Sequence, residues 1–281
     1  MVVTVIGLGL IGGSMALDLK ANGFAKTIIG VDSSPTNQKI ALEFGIIDQI
    51  ENLKTAVERS QLIIVSIPVN QSGTVIQEVL EHCNEQTIID VGSTKSKLAK
   101  LLQKNPKRSN YVATHPIAGT EYSGPKAAQK NLFKNKVTII CDKELSSERA
   151  YNTTTSMYES LGMNFIFMSS KDHDVHSAYV SHISHISSFS LALSVMDKEK
   201  NEKNILNMAG SGFESTVRLA KSNHNMWTPI FIENKKNIVE VLNNYIHQLQ
   251  CFKDAIISEN EIEISSLIIE ANGIKKILDN K

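Results

Sequence analysis

Apolar and polar positions in the first 170 residues alternate between two kinds of segment. Short apolar, β-branched runs predict strands at Val2–Ile6, Thr27–Val31, Leu62–Ile67, Thr87–Val91, Tyr111–Thr114, Val137–Cys141 and Asn164–Met168. Apolar residues at helical spacing between most of these runs predict helices at Gly12–Asn22, Asn37–Phe44, Gln71–His82, Lys95–Gln103 and Ser147–Leu161. This alternation is typical of a doubly wound α/β sheet with both faces covered.

The pattern changes after about residue 170. The remaining segment contains one proline, Pro229, and its apolar residues recur at helical spacing. Helices are predicted at His173–Met196, Glu202–Met208, Phe213–Lys221, Asn234–Ser258 and Glu261–Leu278. We therefore predict two domains, an α/β domain over 1–168 and an all-helical domain over 169–281.

Composition narrows the classes of partner. Lys plus Arg and Asp plus Glu both total 29, so the net charge gives no bulk reason to expect nucleic acid or an anionic membrane. The three cysteines, Cys83, Cys141 and Cys251, have neither metal-ligand nor disulfide-framework spacing. With no basic leader at the N-terminus and no apolar stretch near the roughly 18 residues of a spanning helix, a cytoplasmic enzyme is expected.

A glycine-rich motif links the first predicted strand to the first helix. It reads Gly7-Leu8-Gly9-Leu10-Ile11-Gly12. Between a strand and a helix, Gly7 allows a tight turn, Gly9 lets the backbone approach a pyrophosphate, and Gly12 permits close helix packing. The backbone from Gly9 through Leu10 and Ile11 would face the phosphates at the helix N-terminus. The motif predicts a Rossmann-type dinucleotide-binding domain.

The residues after the next two strands refine the cofactor. Asp32 ends the second strand, twenty residues beyond Gly12, where a carboxylate binds the ribose hydroxyls and repels a 2′-phosphate. Ser33 follows it and brings no arginine, so NAD is predicted over NADP. Ser66 and Pro68 follow the third strand and are predicted to line the nucleotide crevice; an ordinary strand-ending proline is the alternative.

Two later strand ends carry polar residues. Ser93 follows the strand that begins at Thr87, and His115 follows the strand that begins at Tyr111. Both are predicted to face the crevice, where histidine suits proton abstraction because its unperturbed pKa is about 6.5. A histidine after a strand is more often structural, but its place beside a nicotinamide site favours catalysis.

The helical region adds three candidate groups. His182 and His185 lie three residues apart on one helix face, without the further carboxylates or cysteines of a metal site, so no metal is predicted. Arg218 would be a solvated helix residue unless a carboxylate substrate uses its guanidinium. Trp227 is the only tryptophan.

These residues together carry a family resemblance. The chain resembles the prephenate/arogenate dehydrogenase (TyrA) family nearly end to end. The matching motifs are GLGLIGGS at 7–14, DVGSTKS at 90–96, HPIAGTEYSG at 115–124, SHxxH at 181–185, GSGF with Arg218, and MW at 226–227. The resemblance implies a Rossmann domain followed by an all-helical dimerisation domain, and hence a homodimer.

The resemblance also implies roles for single residues. His115 would be the base that hydrogen-bonds the substrate 4-hydroxyl, Ser93 would support it, and Arg218 would bind the ring carboxylate. The other implied substrate positions are His185 near the substrate, Thr120 and Glu121 in the loop that closes the pocket, and Ser211 and Trp227, which help receive the pyruvyl side chain, partly across the dimer interface.

The implied reaction is the NAD-dependent oxidative decarboxylation of prephenate to 4-hydroxyphenylpyruvate in tyrosine biosynthesis. Arogenate dehydrogenase, with an amino in place of the keto side chain, is the first alternative. Ser184, Glu214 and Ser215 depart from the family pattern, and the last two bear on side-chain specificity. A β-hydroxyacid dehydrogenase is more distant, because its lysine-bearing interdomain helix is missing. A non-catalytic NAD-binding sensor is a further alternative.

Overall fold

The computed structural model describes residues 1–279 and contains an eight-stranded sheet. The strands are β1 Val2–Ile6, β2 Thr27–Val31, β3 Gln49–Ile50, β4 Leu62–Val65, β5 Thr87–Asp90, β6 Tyr111–Pro116, β7 Val137–Cys141 and β8 Asn164–Met168. Their order is β3-β2-β1-β4-β5-β6-β7-β8, and every neighbouring pair is parallel except β6 with β7. Because the chain switches sides between β1 and β4, the crevice at their carboxyl ends is the expected ligand position.

Helices cover both faces of this sheet. They are α1 Leu10–Ala21, α2 Pro35–Glu43, α3 Leu53–Arg59, α4 Val69–His82, α5 Ser96–Leu102 and α6 Glu148–Ser160. Alternate strand residues enter two separate apolar clusters: Ile64 joins one, whereas Ile63 and Val65 join the other. The predicted α/β fold is confirmed, and the seven predicted strands match the observed ones within two residues at each end.

Some elements differ from expectation. The sequence did not predict β3 or α3, because two and seven residues are too short to show a clear period. The strand β7 runs antiparallel to β6, which departs from a purely parallel sheet.

The region after residue 169 is helical. It contains α7 Ser170–Ser177, a π-helical turn at Ala178–His182, α8 Ile183–Glu199, α9 Ser211–Val217, α10 His224–Glu233, α11 Lys235–Ile257, α12 Glu261–Asn272 and α13 Ile274–Leu278. The helix predicted at Glu202–Met208 is wrong, since only a 3₁₀ turn at Leu206–Met208 forms there. The sequence missed α10, because its internal Pro229 argues against a helix.

Internal contacts divide the chain into two units, Met1–Lys235 and a second that begins at Lys236. Every predicted site residue lies in the first unit. The second carries many exposed apolar side chains on α11 and α12, among them Ile246, Leu249, Ile256, Ile262 and Ile269. Within residues 1–279, no helix is both long and apolar enough to cross a membrane.

Candidate active site

The turn after β1 is shaped by backbone sterics. Gly7 has φ +92°, and a Cβ added there would lie 2.2 Å from the Ser66 carbonyl oxygen. A Cβ on Gly12 would lie 2.1 Å from the Gly7 carbonyl oxygen, so both positions require glycine. A Cβ on Gly9 would meet nothing within 4 Å. We call the segment Gly7–Gly12 the glycine turn. It leaves open space beside Gly9.

That open space adjoins the N-terminus of α1. This helix begins at Leu10, and no side chain caps it. The backbone N–H groups of its first turn, from Leu10 through Ile11 to Gly12, and the positive end of the helix dipole therefore suit an anionic ligand. These residues fit the pyrophosphate of a dinucleotide.

Asp32 lies beside the glycine turn. Its Oδ2 accepts a hydrogen bond from the Leu8 N–H at 2.8 Å, and its Oδ1 accepts one from the Ser34 N–H at 2.8 Å. Its Oδ1 also accepts from Asn37 Nδ2 at 3.3 Å, and since a carboxylate has about four acceptor positions, about one remains for a ribose hydroxyl. The carboxylate is thus held beside the glycine turn, where the sequence motif predicts the ribose.

Ser66 and Pro68 lie at the other side of the same crevice. The Ser66 N–H bonds to the Ile6 carbonyl at 2.7 Å and extends β4 past β1. Pro68 precedes α4 and lines a cavity of about 400 Å³ with Asn70, Gln71, His224, Asn225, Thr228 and Pro229. Pro68 thus contributes to a cavity between the start of α4 and α10.

His115 lies in β6 and contacts a second histidine. Its Nδ1 is 2.8 Å from Nε2 of His173, and Nδ1 of His173 is 2.9 Å from Oδ1 of Asp174. The Asp174 carboxylate also accepts hydrogen bonds from the backbone N–H groups of Lys95 and Ser96, each at 2.8 Å. A residue of α7 thereby caps the N-terminus of α5.

Burial and hydrogen bonding set the pKa values of these groups. Desolvation, followed by the charges of His173, Lys95 and His182, holds the pKa of His115 well below its usual value. Desolvation also lowers the pKa of His173. For Asp174, desolvation acts to raise the pKa, but hydrogen bonds from His173 and Ser96 outweigh it and lower the pKa. Both rings are therefore neutral near pH 7, and the carboxylate is ionised.

A buried ion pair lies close to His115. The Lys95 Nζ is paired with the Asp90 carboxylate, and both side chains are almost fully buried. Asp90 also accepts a hydrogen bond from the Tyr111 hydroxyl at 2.6 Å and one from the Gly92 N–H at 3.1 Å. Ser93, in the same turn, is partly buried, and residues 1–279 show no hydrogen bond between its hydroxyl and His115. Its supporting role stays a prediction.

The π-helical turn changes which side chains face His173. Nine residues separate His173 from His182, or two and a half turns of a regular α-helix, which would place them on opposite sides. The π turn at Ala178–His182 rotates the register. Asn234 then contacts both segments: its Nδ2 donates to the Asp174 carbonyl at 2.7 Å and lies 3.1 Å from His182 Nδ1. We call His115, His173, His182 and His185 the histidine cluster.

His185, Trp227 and Arg218 also come together. The His185 ring stacks on Trp227 with centroids 3.5 Å apart, and its Nδ1 is 3.1 Å from the Ser181 carbonyl oxygen. Desolvation lowers the pKa of His185, and the charge of Arg218 contributes in the same direction. The buried Trp227 Nε1 has no hydrogen-bond partner within residues 1–279, which is uncommon for a buried N–H group.

The remaining predicted positions lie nearer the surface. Thr120 and Glu121 are partly buried in the loop after β6, and the Thr120 hydroxyl accepts from the Tyr122 N–H at 3.3 Å. Ser211 is exposed at the start of α9, and Arg218 is exposed at the end of it. No group of three or more His, Cys, Asp or Glu within residues 1–279 could hold a metal ion.

Several residues that adjoin His115 and His182 were not predicted from the sequence. They are Asp90, Lys95, His173, Asp174 and Asn234. The adjacent His173-Asp174 pair at a predicted helix start was the available signal, since an acidic residue beside a histidine often orients it. Asn234 carried no signal, because its partners lie 52 and 60 residues away.

Comparison with known proteins decides the family. Residues 15–167 match the nucleotide-binding domain of prephenate dehydrogenase, and residues 169–268 match its dimerization domain. The chain belongs to the prephenate dehydrogenase family. It is 31% identical to the prephenate dehydrogenase of Bacillus subtilis, over 90% of this chain and 70% of that protein.

Solved structures agree with this assignment. The prephenate dehydrogenase from Aquifex aeolicus, in complex with hydroxyphenyl propionate and NAD+, is 30% identical and superposes with a TM-score of 0.90 over 99% of this chain and 97% of that one. The Synechocystis arogenate dehydrogenase is 25% identical, with a TM-score of 0.80 over 99% of this chain and 100% of that one. The predicted family and nucleotide-binding domain are confirmed, and this oxidoreductase family argues against the β-hydroxyacid dehydrogenase alternative.

Proposed function

We propose that this protein is an NAD-dependent prephenate dehydrogenase. The observation that carries the proposal is His115, a histidine held neutral near pH 7 at the carboxyl end of β6, on the sheet edge that also carries the glycine turn. A neutral imidazole next to a nicotinamide site can take a proton from a substrate hydroxyl while the carbon loses hydride. The B. subtilis and A. aeolicus relatives support prephenate as the substrate.

The cofactor assignment rests on the glycine turn and Asp32. The open space beside Gly9 would let a pyrophosphate approach the backbone, and Asp32 would accept hydrogen bonds from the adenosine ribose while repelling a 2′-phosphate. The A. aeolicus relative, solved with NAD+, supports the same choice. We expect a higher kcat/KM with NAD than with NADP; equal efficiency would show that Asp32 does not select the cofactor.

The chain's own groups act on the substrate oxygen and carboxylates. NAD+, when bound, supplies the hydride acceptor. His115 takes the proton of the 4-hydroxyl as C4 loses hydride, and C4 becomes a carbonyl carbon. The ring then loses its C1 carboxylate as CO₂, and the bonding electrons pass through the ring to the oxygen, which takes up a proton as a phenol. Positioning and charge placement supply most of the rate enhancement.

Three groups in the helical region suit the anionic substrate. Arg218 can bind the ring carboxylate through two parallel N–H···O bonds. His185 lies within the influence of the Arg218 charge, and the unpartnered Trp227 Nε1 can donate to a side-chain oxygen. Thr120 and Glu121 would close the pocket from the loop after β6. With these roles, the site would bind a substrate that carries two carboxylates.

Arogenate dehydrogenase is the second candidate, favoured by the likeness to the Synechocystis enzyme. One or two contacts to the side-chain amino or keto group would decide between the substrates. Steady-state NADH formation with prephenate and with arogenate tests both. A kcat/KM at least tenfold higher with prephenate supports the proposal, a preference for arogenate selects the alternative, and inactivity with both would indicate a non-catalytic NAD-binding sensor.

We further propose a homodimer, which the match to a dimerization domain supports. The helices α11 and α12 expose Ile246, Leu249, Ile256, Ile262 and Ile269, and contact with a second chain would bury such side chains. Ser211 of one chain, which is exposed, could then complete the pocket of the other, whereas Trp227 is buried against His185 of its own chain. Light scattering at low micromolar concentration should give twice the 31.0 kDa chain mass; a fully active monomer would contradict both ideas.

A further inference from the structure

A line of hydrogen bonds runs from α7 to β6 and is not used by any role assigned above. It joins Asp174 to His173 and His173 to His115, through contacts of 2.9 and 2.8 Å. We propose that His173 is a positioning residue, which fixes neutral His115 in the tautomer with its proton on Nδ1 and its lone pair on Nε2. This inference rests on the proposed function only in assigning the Nε2 lone pair to the substrate hydroxyl.

The donor and acceptor roles along this line of hydrogen bonds are set by Asp174. Its carboxylate accepts the N–H groups of Lys95 and Ser96 at the start of α5, where an ionised acid is favoured. An ionised carboxylate only accepts hydrogen bonds, so Nδ1 of His173 must donate to it.

The proton positions on the two imidazole rings follow from the number of N–H groups in a neutral histidine. A neutral imidazole carries one N–H, so His173, with its proton on Nδ1, presents Nε2 as an acceptor. His115 Nδ1 lies 2.8 Å from that acceptor and therefore carries the proton. Nε2 of His115 is left with a lone pair. The ionised carboxylate thus sets the tautomer of a ring two residues along the line.

The same hydrogen bonds stabilise the cation that forms when His115 gains a proton. As the substrate O–H bond breaks and an N–H bond forms at Nε2, His115 becomes positively charged. Its Nδ1–H bond to His173 then becomes charge-assisted, and Asp174 polarises His173 from the far side. Lys95 opposes this charge but is paired with Asp90, and His182 also faces the ring.

The tautomer can be measured without substrate. Two-bond ¹H–¹⁵N correlation spectra of the full-length protein with ¹⁵N-labelled histidine, at pH 7.5, report which ring nitrogen carries the proton. The His115 signals are assigned by their loss in His115→Asn. We expect a protonated Nδ1 and an unprotonated Nε2; a proton on Nε2 would overturn the proposal, whatever the substrate is.

Variants then test the functional consequence. His173→Leu removes the acceptor, and we expect kcat to fall about 10- to 100-fold, a part of the roughly 10²–10⁴-fold that general-base catalysis contributes. The acid limb of kcat/KM should move to lower pH, because the His115 cation loses a hydrogen-bond acceptor. His173→Gln can still present an amide oxygen to His115 Nδ1–H and should recover part of both changes.

His176→Leu is the matched control, since His176 is exposed on the same helix. It should leave the tautomer, kcat and the pH profile unchanged. If His173→Leu retains the His115 tautomer and the wild-type acid limb, His173 does not position His115. If the wild-type tautomer is as expected but prephenate and arogenate give no activity, the proposed function fails while the hydrogen-bonded line stands.

Discussion

The glycine turn and the histidine cluster are both at the candidate active site, but they are built differently. The glycine turn is six consecutive residues, and its shape follows from a positive φ at Gly7 and from the contacts of 2.1–2.2 Å that a Cβ at Gly7 or Gly12 would make. The histidine cluster takes His115 from β6 and the others from α7, the π turn and α8, and its central contact joins residues 58 positions apart. One is a backbone site, and the other is a side-chain assembly.

This difference predicts separable functions. Backbone N–H groups bind phosphates without a change in protonation, whereas histidines act through their proton equilibria. Substitutions in the glycine turn should therefore change nucleotide affinity, and substitutions in the histidine cluster should change the chemical step and its pH dependence. Four measurements test that division.

The largest effect is expected at His115. His115→Asn should lower kcat by about 10²–10⁴-fold, because it removes the imidazole proposed to take the hydroxyl proton. The dissociation constant for NAD, measured by fluorescence titration, should stay within about twofold of wild type. A variant that keeps more than about a tenth of kcat would place the base elsewhere, with His185 the next candidate.

Arg218 tests whether the helical region binds the substrate. Loss of a charged hydrogen-bond donor costs about 1.5–3 kcal/mol, so Arg218→Ala should raise KM for prephenate roughly 10- to 150-fold with a smaller change in kcat. Lys221→Ala is the control, since Lys221 is an exposed cation in the same 3₁₀ turn. Equal KM values for Arg218→Ala and wild type would assign the ring carboxylate to another group.

Two glycine substitutions separate cofactor binding from folding. Gly9→Ala adds a Cβ into open space, so we expect an unchanged melting temperature and about tenfold weaker NAD binding. Gly12→Ala forces a Cβ against the Gly7 carbonyl oxygen and should also lower the unfolding free energy by about 1–3 kcal/mol. Calorimetry and NAD titration of both variants check this; full NAD affinity in Gly9→Ala would contradict the pyrophosphate position.

The smallest effect is a dependence of stability on pH. Desolvation lowers the pKa of buried His182 to about 4 from 6.5. Between these values the unfolded chain binds more protons than the folded one, so the unfolding free energy falls as pH falls, by at most about 1.4 kcal/mol per pH unit for this group.

Denaturant unfolding at pH 7 and pH 5 measures this dependence. His182→Gln should reduce the loss of stability on acidification, while His176→Gln, at an exposed position, should not. An equal loss in wild type and His182→Gln would show that His182 is not held neutral by burial.

The sequence by itself determined the sheet strands, the glycine turn and the place of Asp32. Apolar runs between helical segments mark the strands, most of which are buried although Ile166 and Phe167 of β8 are exposed, and this signal is carried by each segment alone. The glycine motif is equally local, since the steric demand at Gly7 and Gly12 arises within one strand–turn–helix unit. The strand β3 was not predicted because two residues show no clear period, and the helix α10 was not predicted because it contains Pro229.

Only the tertiary structure decided the surroundings of His115. Its contact with His173 depends on the placement of α7 beside β6, and the capping of α5 by Asp174 depends on the same placement. The π turn, which brings His182 to Asn234, inserts a register shift that helical periodicity does not reveal. Side-chain hydrogen bonds are satisfied in three dimensions between residues distant in sequence, so residue spacing alone could place His115 at a strand end but could not name its partners.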